Sequence, residues 1–343
     1  MRKLAFISTS ALVFALFVLG PSIILTNAQT EITGTWTTAN KAPKAPKPPK
    51  PPKAPHAPGG VEIEAPEPPE IDIDIDIHKV ANDPDKIHLS FERKTENGRN
   101  QHGMSYAYSD IDGLTRSQVQ GGGPVSFRIV REAGTIEAQG NFANGVGNGT
   151  FRFVPNMGFI SAMKQRGFDF EKSDSKGSHH DTVEERLFAA ATIGVTTALA
   201  DDLRSANFGD LDVGDLYKAA IFKIDGKFMA EMKATGFPDL GMEELVKARI
   251  FKVDADYVRQ VKDMGFTDQG FEGLVKFRIF KVTPEFLNEL RAAGLDQMDA
   301  EDIVKARIFK IDANFIRQAK AEDPSVTMED LVKMKIGVWK RTK

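Results

Sequence analysis

Apolar side chains in the second half of the chain recur with a fixed period. Six equivalent positions follow one another at steps of 29 residues, with a last step of 28: Leu187, Leu216, Leu245, Leu274, Ile303 and Leu331. Glycine keeps the 29-residue step at Gly236, Gly265 and Gly294. A period of roughly 20–50 residues is typical of repeat architectures, in which each unit buries its apolar face against the next. The pattern therefore predicts tandem repeats over residues 157–343.

Each repeat is predicted to contain two short helices. Residues whose side-chain oxygens can cap a helix N-terminus recur at the start of one helix: Asp225, Asp254, Thr283 and Asp312. That helix ends about ten residues later at the repeated glycine, which favours a left-handed C-terminal cap. The other helix starts near Asp212, Asp299 or Thr327 and carries the Leu-Val-Lys-x-Arg-Ile-Phe sequence. Because helices of about ten residues are unstable alone, we expect an α-hairpin repeat solenoid of stacked units.

Alternating apolar and polar residues in the middle of the chain predict an antiparallel sheet or a small barrel over residues 86–156. Turn signals separate five strand-like runs: Lys86–Arg93, Met104–Tyr108, Val125–Arg131, Thr135–Phe142 and Thr150–Val154. We interpret the glycines at 145–149 as a hairpin turn, because a phosphate-binding loop would be followed by a lysine and a helix. Trp36, in a short strand segment at 29–40, is expected to join this sheet. The predicted fold class is α+β.

A proline-rich linker, residues 41–85, separates Trp36 from the other predicted strands. Residues 41–70 hold 11 of the 18 prolines, and lysine recurs at every third position: Lys41, Lys44, Lys47, Lys50 and Lys53. Polyproline II has three residues per turn, so these cations would line one edge of a stiff rod. Acidic residues then dominate up to Asp76. The linker resembles the Lys-Pro and Glu-Pro spacers of TonB-type proteins, and its basic edge either contacts anionic envelope polymers or is only solvated.

The first 28 residues have the order of a secretory signal. Arg2 and Lys3 precede an apolar run, and small residues stand before the expected cleavage point after Ala28. The alternative is an uncleaved anchor in the inner membrane, because the apolar run is long enough to span a bilayer. In both cases we expect an exported protein that is secreted into the periplasm or held in the cell envelope. Contact with the membrane is expected only through this segment, if it is uncleaved.

Composition and motifs exclude several classes of chemistry. The formal net charge of −3 is unlike that of a generally basic nucleic-acid-binding protein, so we expect no nucleic-acid partner. The chain has no cysteine, and its six histidines all lie at or before position 180. A metal site at His179-His180-Asp181 is disfavoured, because adjacent side chains diverge. With no recognised catalytic motif, we predict no enzymatic activity, no catalytic residues, no cofactor and no metal.

Cations repeat with the same period as the apolar residues. Three cations in each of three repeats form a possible partner-binding surface: Lys247, Arg249, Lys252, Lys276, Arg278, Lys281, Lys305, Arg307 and Lys310. Stacking would align them in rows that could face an anionic partner. Alternatively, they only offset neighbouring acids and complement the negative ends of helix dipoles. The sequence leaves both interpretations open.

Two stretches carry a family resemblance. Arg278-Ile-Phe-Lys-Val-Thr-Pro-Glu-Phe-Leu287 resembles helical repeats of exported bacterial proteins of uncharacterised function, and similar repeats occur in C-terminal regions of some antibiotic-sensing zinc-peptidase receptors. The segment from Arg131 to Phe153 resembles the one that precedes such repeats. The likeness covers residues 86–343 and implies an architecture without a known reaction. The chain has no His-Glu-x-x-His sequence, so the resemblance carries over no peptidase activity.

The leading functional prediction is a non-catalytic envelope protein whose helical repeat surface binds a protein or peptide. A stack of repeats presents broad faces that suit such a partner. One alternative is the extracytoplasmic sensing or regulatory module of a membrane signalling system. The other is a hydrolase of unrecognised type, because acidic residues are plentiful enough to supply a catalytic pair.

Overall fold

The middle of the chain forms one open antiparallel sheet in the computed structural model, which describes residues 31–38, 83–95, 98–172, 182–207 and 209–338. Its strands are β1 (Ile32–Thr38), β2 (Lys86–Thr95), β3 (Gly98–Ala107), β4 (Gly123–Arg131), β5 (Gly134–Ala143) and β6 (Val146–Pro155). Their order across the sheet is β3-β2-β1-β6-β5-β4. The predicted antiparallel sheet is confirmed. The alternative of a small barrel is wrong, because β3 and β4 stand at opposite edges of the sheet.

Thirteen α-helices lie within the described residues. The first four are α1 (Arg116–Gly121), α2 (Met157–Lys164), α3 (Val183–Ile193) and α4 (Thr197–Ser205). The next four are α5 (Val213–Phe222), α6 (Gly226–Ala234), α7 (Met242–Ile250) and α8 (Ala255–Asp263). The last five are α9 (Phe271–Ile279), α10 (Pro284–Ala292), α11 (Ala300–Ile308), α12 (Ala313–Glu322) and α13 (Met328–Lys335). The coarse α+β class is therefore correct.

Helix α3 packs against one face of the open sheet. It contacts β1, β3, β5 and β6. Its Phe188 stacks on Phe151 with 5.2 Å between ring centroids, and Phe91 meets Phe188 edge-on. The buried hydroxyl of Tyr106 donates to the carbonyl oxygen of Thr192 at 2.9 Å. This contact buries apolar side chains of the open sheet against the helix.

Strand β1 lies in the centre of the sheet, although the linker separates it from the other strands in sequence. It pairs with β2 on one side and with β6 on the other. Trp36 is fully buried, and its indole Nε1 donates to the carbonyl oxygen of Gln139 at 3.1 Å. Gly149 leaves room for the ring, because a Cβ there would lie 2.6 Å from the indole nitrogen. The expectation that Trp36 joins the sheet is confirmed, and the linker is an insertion between β1 and β2.

The glycines at 145–149 belong to a β-hairpin, as predicted. Asn144 and Gly145 connect β5 to β6 with φ of 52° and 77°. Two successive positive φ values are the requirement of the two-residue turn that fits the twist of a hairpin. Gly147 and Gly149 lie in β6 itself.

Helices two positions apart in sequence pack side by side. We call α3, α5, α7, α9, α11 and α13 the A helices, and α4, α6, α8, α10 and α12 the B helices. Among the A helices, contacts join α3 to α5, α5 to α7, α9 to α11 and α11 to α13. Among the B helices they join α4 to α6, α6 to α8 and α10 to α12. The periodic positions Leu187, Leu216, Leu245, Leu274, Ile303 and Leu331 are all buried.

The predicted caps account for where these helices begin and end. Asp225, Asp254, Thr283 and Asp312 each accept a hydrogen bond from the backbone N–H three residues later. The same bond forms at the A-helix starts Asp212, Asp299 and Thr327. The glycines that end three B helices, Gly236, Gly265 and Gly294, have φ of 106°, 100° and 100°. The sequence-based interpretation of these helix ends is confirmed.

Some predictions fall on other parts of the chain. The secretory segment at 1–28, the linker at 41–82 and His179-His180-Asp181 lie outside the described residues. Within the part that is described, no helix is long and apolar enough to cross a membrane.

Candidate functional site

Every A helix ends at a residue with a left-handed backbone. In chain order these residues are Gly194, Lys223, Lys252, Lys281, Lys310 and Gly337, with φ between 51° and 85°. The N–H of the next residue then bonds to the carbonyl five residues before it, as from Val253 to Ala248 at 2.8 Å. This is the Schellman arrangement, which satisfies carbonyl groups at the helix end. Buried aliphatic residues follow the four lysines, so each cap is fixed by packing as well.

Lysine is an unfavourable residue for this backbone. A left-handed conformation costs a residue with a Cβ roughly 1–2 kcal/mol, whereas glycine adopts it freely. Glycine does occupy the first and last of the six positions, but lysine occupies the four between them. All four lysines are exposed. We call Lys223, Lys252, Lys281 and Lys310 the lysine row.

Three of the predicted partner-binding arginines instead join neighbouring repeats. Nη2 of each donates to the carbonyl oxygen of the row lysine in the preceding repeat, at 2.6–2.8 Å: Arg249 to Lys223, Arg278 to Lys252 and Arg307 to Lys281. Each guanidinium also lies 3.5–3.7 Å from the centre of an aromatic ring of that repeat: Phe228, Tyr257 and Phe286 respectively. Stacking of a cation on an aromatic face and a charge-assisted hydrogen bond both stabilise the junction.

The other predicted cations lie within the last turns of the A helices. Nζ of Lys247 lies 2.7 Å from a carboxylate oxygen of Glu272 in the next A helix. This hydrogen bond raises the pKa of Lys247, so its ammonium stays charged. Lys305 lies 3.8 Å from Asp302 on its own helix, and Lys276 is half-buried. Lys247 and Lys305 thus offset acids, as one of the two sequence interpretations proposed.

Sequence reasoning missed two cations of the second A helix, α5, on this edge. Lys223 belongs to the lysine row, and Lys218 pairs with Glu243 at 2.6 Å, one step before the pair of Lys247 and Glu272. The signal was present, because Ala220-Ile-Phe-Lys-Ile-Asp225 aligns with the later repeats. The predicted surface nevertheless begins only at Lys247.

The B helices carry a second series of cations that bond backward. Nζ of Lys262 donates to the carbonyl oxygen of Thr235 at 3.1 Å, and Arg291 donates to that of Met264 at 3.3 Å. Lys233 does the same to Asn207 at 3.1 Å. Each cation therefore meets the carbonyl-rich end of the preceding B helix, where the helix dipole is negative.

A groove of about 680 Å³ opens between α8 and α10. Its sides carry both signs of charge, with Asp256 and Asp263 beside Arg259 and Arg291. Asp256 and Arg259 form an ion pair with each other. The mixture gives this groove no strong preference for anions or cations, in contrast to the lysine row.

No group of three or more His, Asp or Glu residues within the described ranges is placed to hold a metal ion. No protein-family model matches the chain, and no curated protein or solved structure shows significant similarity to it. The function must therefore be argued from the arrangement of the residues themselves.

Proposed function

We propose that this chain is a non-catalytic protein of the cell envelope whose stacked helix pairs form a solenoid that docks a protein or peptide partner along the lysine row. The observation that carries the proposal is the choice of lysine over glycine at four inner left-handed caps. Glycine serves the same cap at both outer positions, so the fold itself has no need of lysine. Non-glycine residues in a left-handed conformation are strained, and such positions cluster at functional sites.

The repeated junction supports a regular array. Arginine, aromatic ring and lysine carbonyl meet with nearly the same distances at three successive junctions. Equivalent side chains then recur at equivalent places, which suits an extended partner better than a small molecule. The partner is expected to present carboxylates, because exposed ammonium groups attract them and steer association.

Placement in the envelope rests on the secretory segment alone. Arg2, Lys3 and the apolar run after them favour export, and the proposal takes the partner to be an envelope protein.

In-cell crosslinking tests the proposal. A photoreactive amino acid would replace Lys252, Lys281 or Lys310 in the full chain, because these side chains are exposed. The arginines of the junctions are unsuitable, since replacing them would disturb the packing of neighbouring repeats. The matched control carries the photoreactive residue at Lys94 of the sheet, which is also exposed.

The expected result is one crosslinked protein of defined mass from all three row positions and none from the control. Crosslinks that are absent, or that are the same from Lys94, would contradict a docking role for the row.

A further inference from the structure

We infer that the lysine row recognises an extended acidic polypeptide with one carboxylate at every third residue. The inference rests on the proposed docking function and deepens it by naming the chemistry of the partner. It follows from the spacing of the repeats, from the shared backbone conformation of the four lysines and from the charges around them.

From the usual separation of packed helices, we expect the spacing of the row to match three residues of extended chain. Packed helices lie roughly 8–10 Å apart, and successive row lysines belong to successive A helices. An extended or polyproline II chain advances about 3.1–3.4 Å per residue, so three residues cover roughly 9–10 Å. Acids at positions i, i+3, i+6 and i+9 would therefore each face one lysine.

The four lysines leave the backbone from equivalent and rigid points. Their φ values agree to within 2°, from 51° to 53°. Their own carbonyl oxygens are held by the arginine of the next repeat at three of the four positions. A row fixed in this way is preorganised, so a partner orders only the ends of the lysine side chains when it binds.

Charge along this edge favours a carboxylate partner. The junction arginines lie beside the row and add positive potential, while most nearby acids have partners. Asp225, Asp254 and Asp312 cap B helices through their carboxylates, and Thr283 replaces the acid at the fourth cap. Glu243 and Glu272 pair with Lys218 and Lys247.

The matching occupant is a separate polypeptide and not the acidic stretch of this chain. A full row requires four acids at three-residue steps. The chain keeps that step only through Glu64, Glu67 and Glu70, after which its acids follow at steps of two. Its own stretch could thus satisfy only part of the row.

The experiment measures binding of two labelled peptides to the full chain by fluorescence anisotropy at low salt. One probe is (Glu-Pro-Pro)₅, and the other has the same composition with five glutamates followed by ten prolines. Exposed ion pairs contribute a few-fold each, so we expect the spaced peptide to bind about tenfold more tightly than the block peptide. The advantage should shrink as salt screens the charges.

A glycine variant separates binding from folding. It carries four substitutions in the row: Lys223→Gly, Lys252→Gly, Lys281→Gly and Lys310→Gly. Because glycine suits the left-handed caps, the melting temperature of this variant is expected to be no lower than that of the natural protein. The variant is expected to bind the spaced and block peptides with equal affinity. The matched control removes four charges elsewhere, and it should keep the preference for the spaced peptide: Lys86→Gln, Lys94→Gln, Lys164→Gln and Lys172→Gln.

Three outcomes would overturn the inference. Equal affinity for the two peptides would contradict recognition of a three-residue spacing. An unchanged preference for the spaced peptide in the glycine variant would contradict binding at the lysine row. Tighter peptide binding after Glu64→Gln, Glu67→Gln and Glu70→Gln would show that the chain's own acids occupy the row. Specific crosslinks from the row with no peptide preference would refute only this inference, whereas absent crosslinks would refute the docking function.

Discussion

At the scale of single residues, the left-handed lysines are the feature that the sequence could not reveal. Glycine is the usual signal for such a cap, and the Phe-Lys-Val-Asp sequence does not contain it. The periodic spacing identified Lys252, Lys281 and Lys310 as candidates, but their backbone conformation depends on the packing of the aliphatic residue that follows. The sequence did not reveal that the arginines stack on aromatic rings that lie 21 residues earlier.

Lys281→Gly is expected to stabilise the protein. Release of the left-handed strain stabilises the folded state by roughly 1–2 kcal/mol. The greater freedom of glycine in the unfolded chain cancels roughly 0.4–1 kcal/mol of that gain. The free energy of unfolding from urea denaturation should rise by about 0.5–1 kcal/mol. Lys276→Gly, inside α9, is the control and should lower it by about 1 kcal/mol. A loss of stability in Lys281→Gly would contradict the assigned strain.

Tyr257→Phe is also expected to raise stability. The hydroxyl of Tyr257 is buried without a hydrogen-bond partner, and burial raises the pKa of the side chain to about 12. Phenylalanine already fills the equivalent position in Phe228, Phe286 and Phe315. Removal of an unpaired buried hydroxyl should raise the free energy of unfolding by about 1 kcal/mol.

Tyr106→Phe is the matched control for that substitution. The hydroxyl of Tyr106 is equally buried but donates to the carbonyl of Thr192 at 2.9 Å. Its loss leaves that carbonyl oxygen without this donor, so unfolding free energy should fall by about 1 kcal/mol. The same sign of change in both variants would refute the distinction between paired and unpaired hydroxyls.

At the scale of elements, helix ends were more predictable than the arrangement of the sheet. Caps such as Asp254 and Gly265 act within a few residues, so their sequence signals are local. The open sheet packs against Phe188, which lies more than thirty residues after β6. Alternation along the strands carries no information about such a distant covering helix.

The arginine junction links one helix pair to the next and should carry measurable stability. Arg278→Ala removes both the bond to the Lys252 carbonyl and the contact with the Tyr257 ring. We expect the free energy of unfolding to fall by about 2 kcal/mol, measured by urea denaturation. Arg259→Ala is the control, because this exposed residue pairs only within α8 and should change stability by less than about 0.5 kcal/mol. Equal effects would argue against a role in joining repeats.

At the scale of the whole molecule, the central place of β1 is the main feature that composition alone could not predict. The sequence predicts that the short strand around Trp36 joins the sheet, but it does not predict where in the sheet this strand lies. The structure gives this strand hydrogen-bonded neighbours on both sides and a fully buried tryptophan. Trp36 was the only local sign, because one large aromatic residue requires a core to bury it.

Cleavage of the linker should leave the sheet intact. With a protease site inserted between residues 53 and 60, the fragment that contains β1 should stay bound under native conditions. Size-exclusion chromatography would detect it with the main body, and denaturing electrophoresis would separate the two pieces. The control is the natural chain without the inserted site, which should remain a single piece after the same protease treatment. Release of the β1 fragment without denaturant would contradict its central place.

The central place of β1 also determines which part of the chain could bear a pulling force. Thr38 and Leu89 are paired neighbours, so the long insertion leaves the sheet and returns to it at almost the same point. Tension applied at the N-terminus would pass directly into β1 and bypass the proline-rich stretch. An anchor at the N-terminus would therefore hold the sheet through β1 and not through the linker. The insertion between β1 and β2 thus lies outside the path along which such a force would reach the sheet.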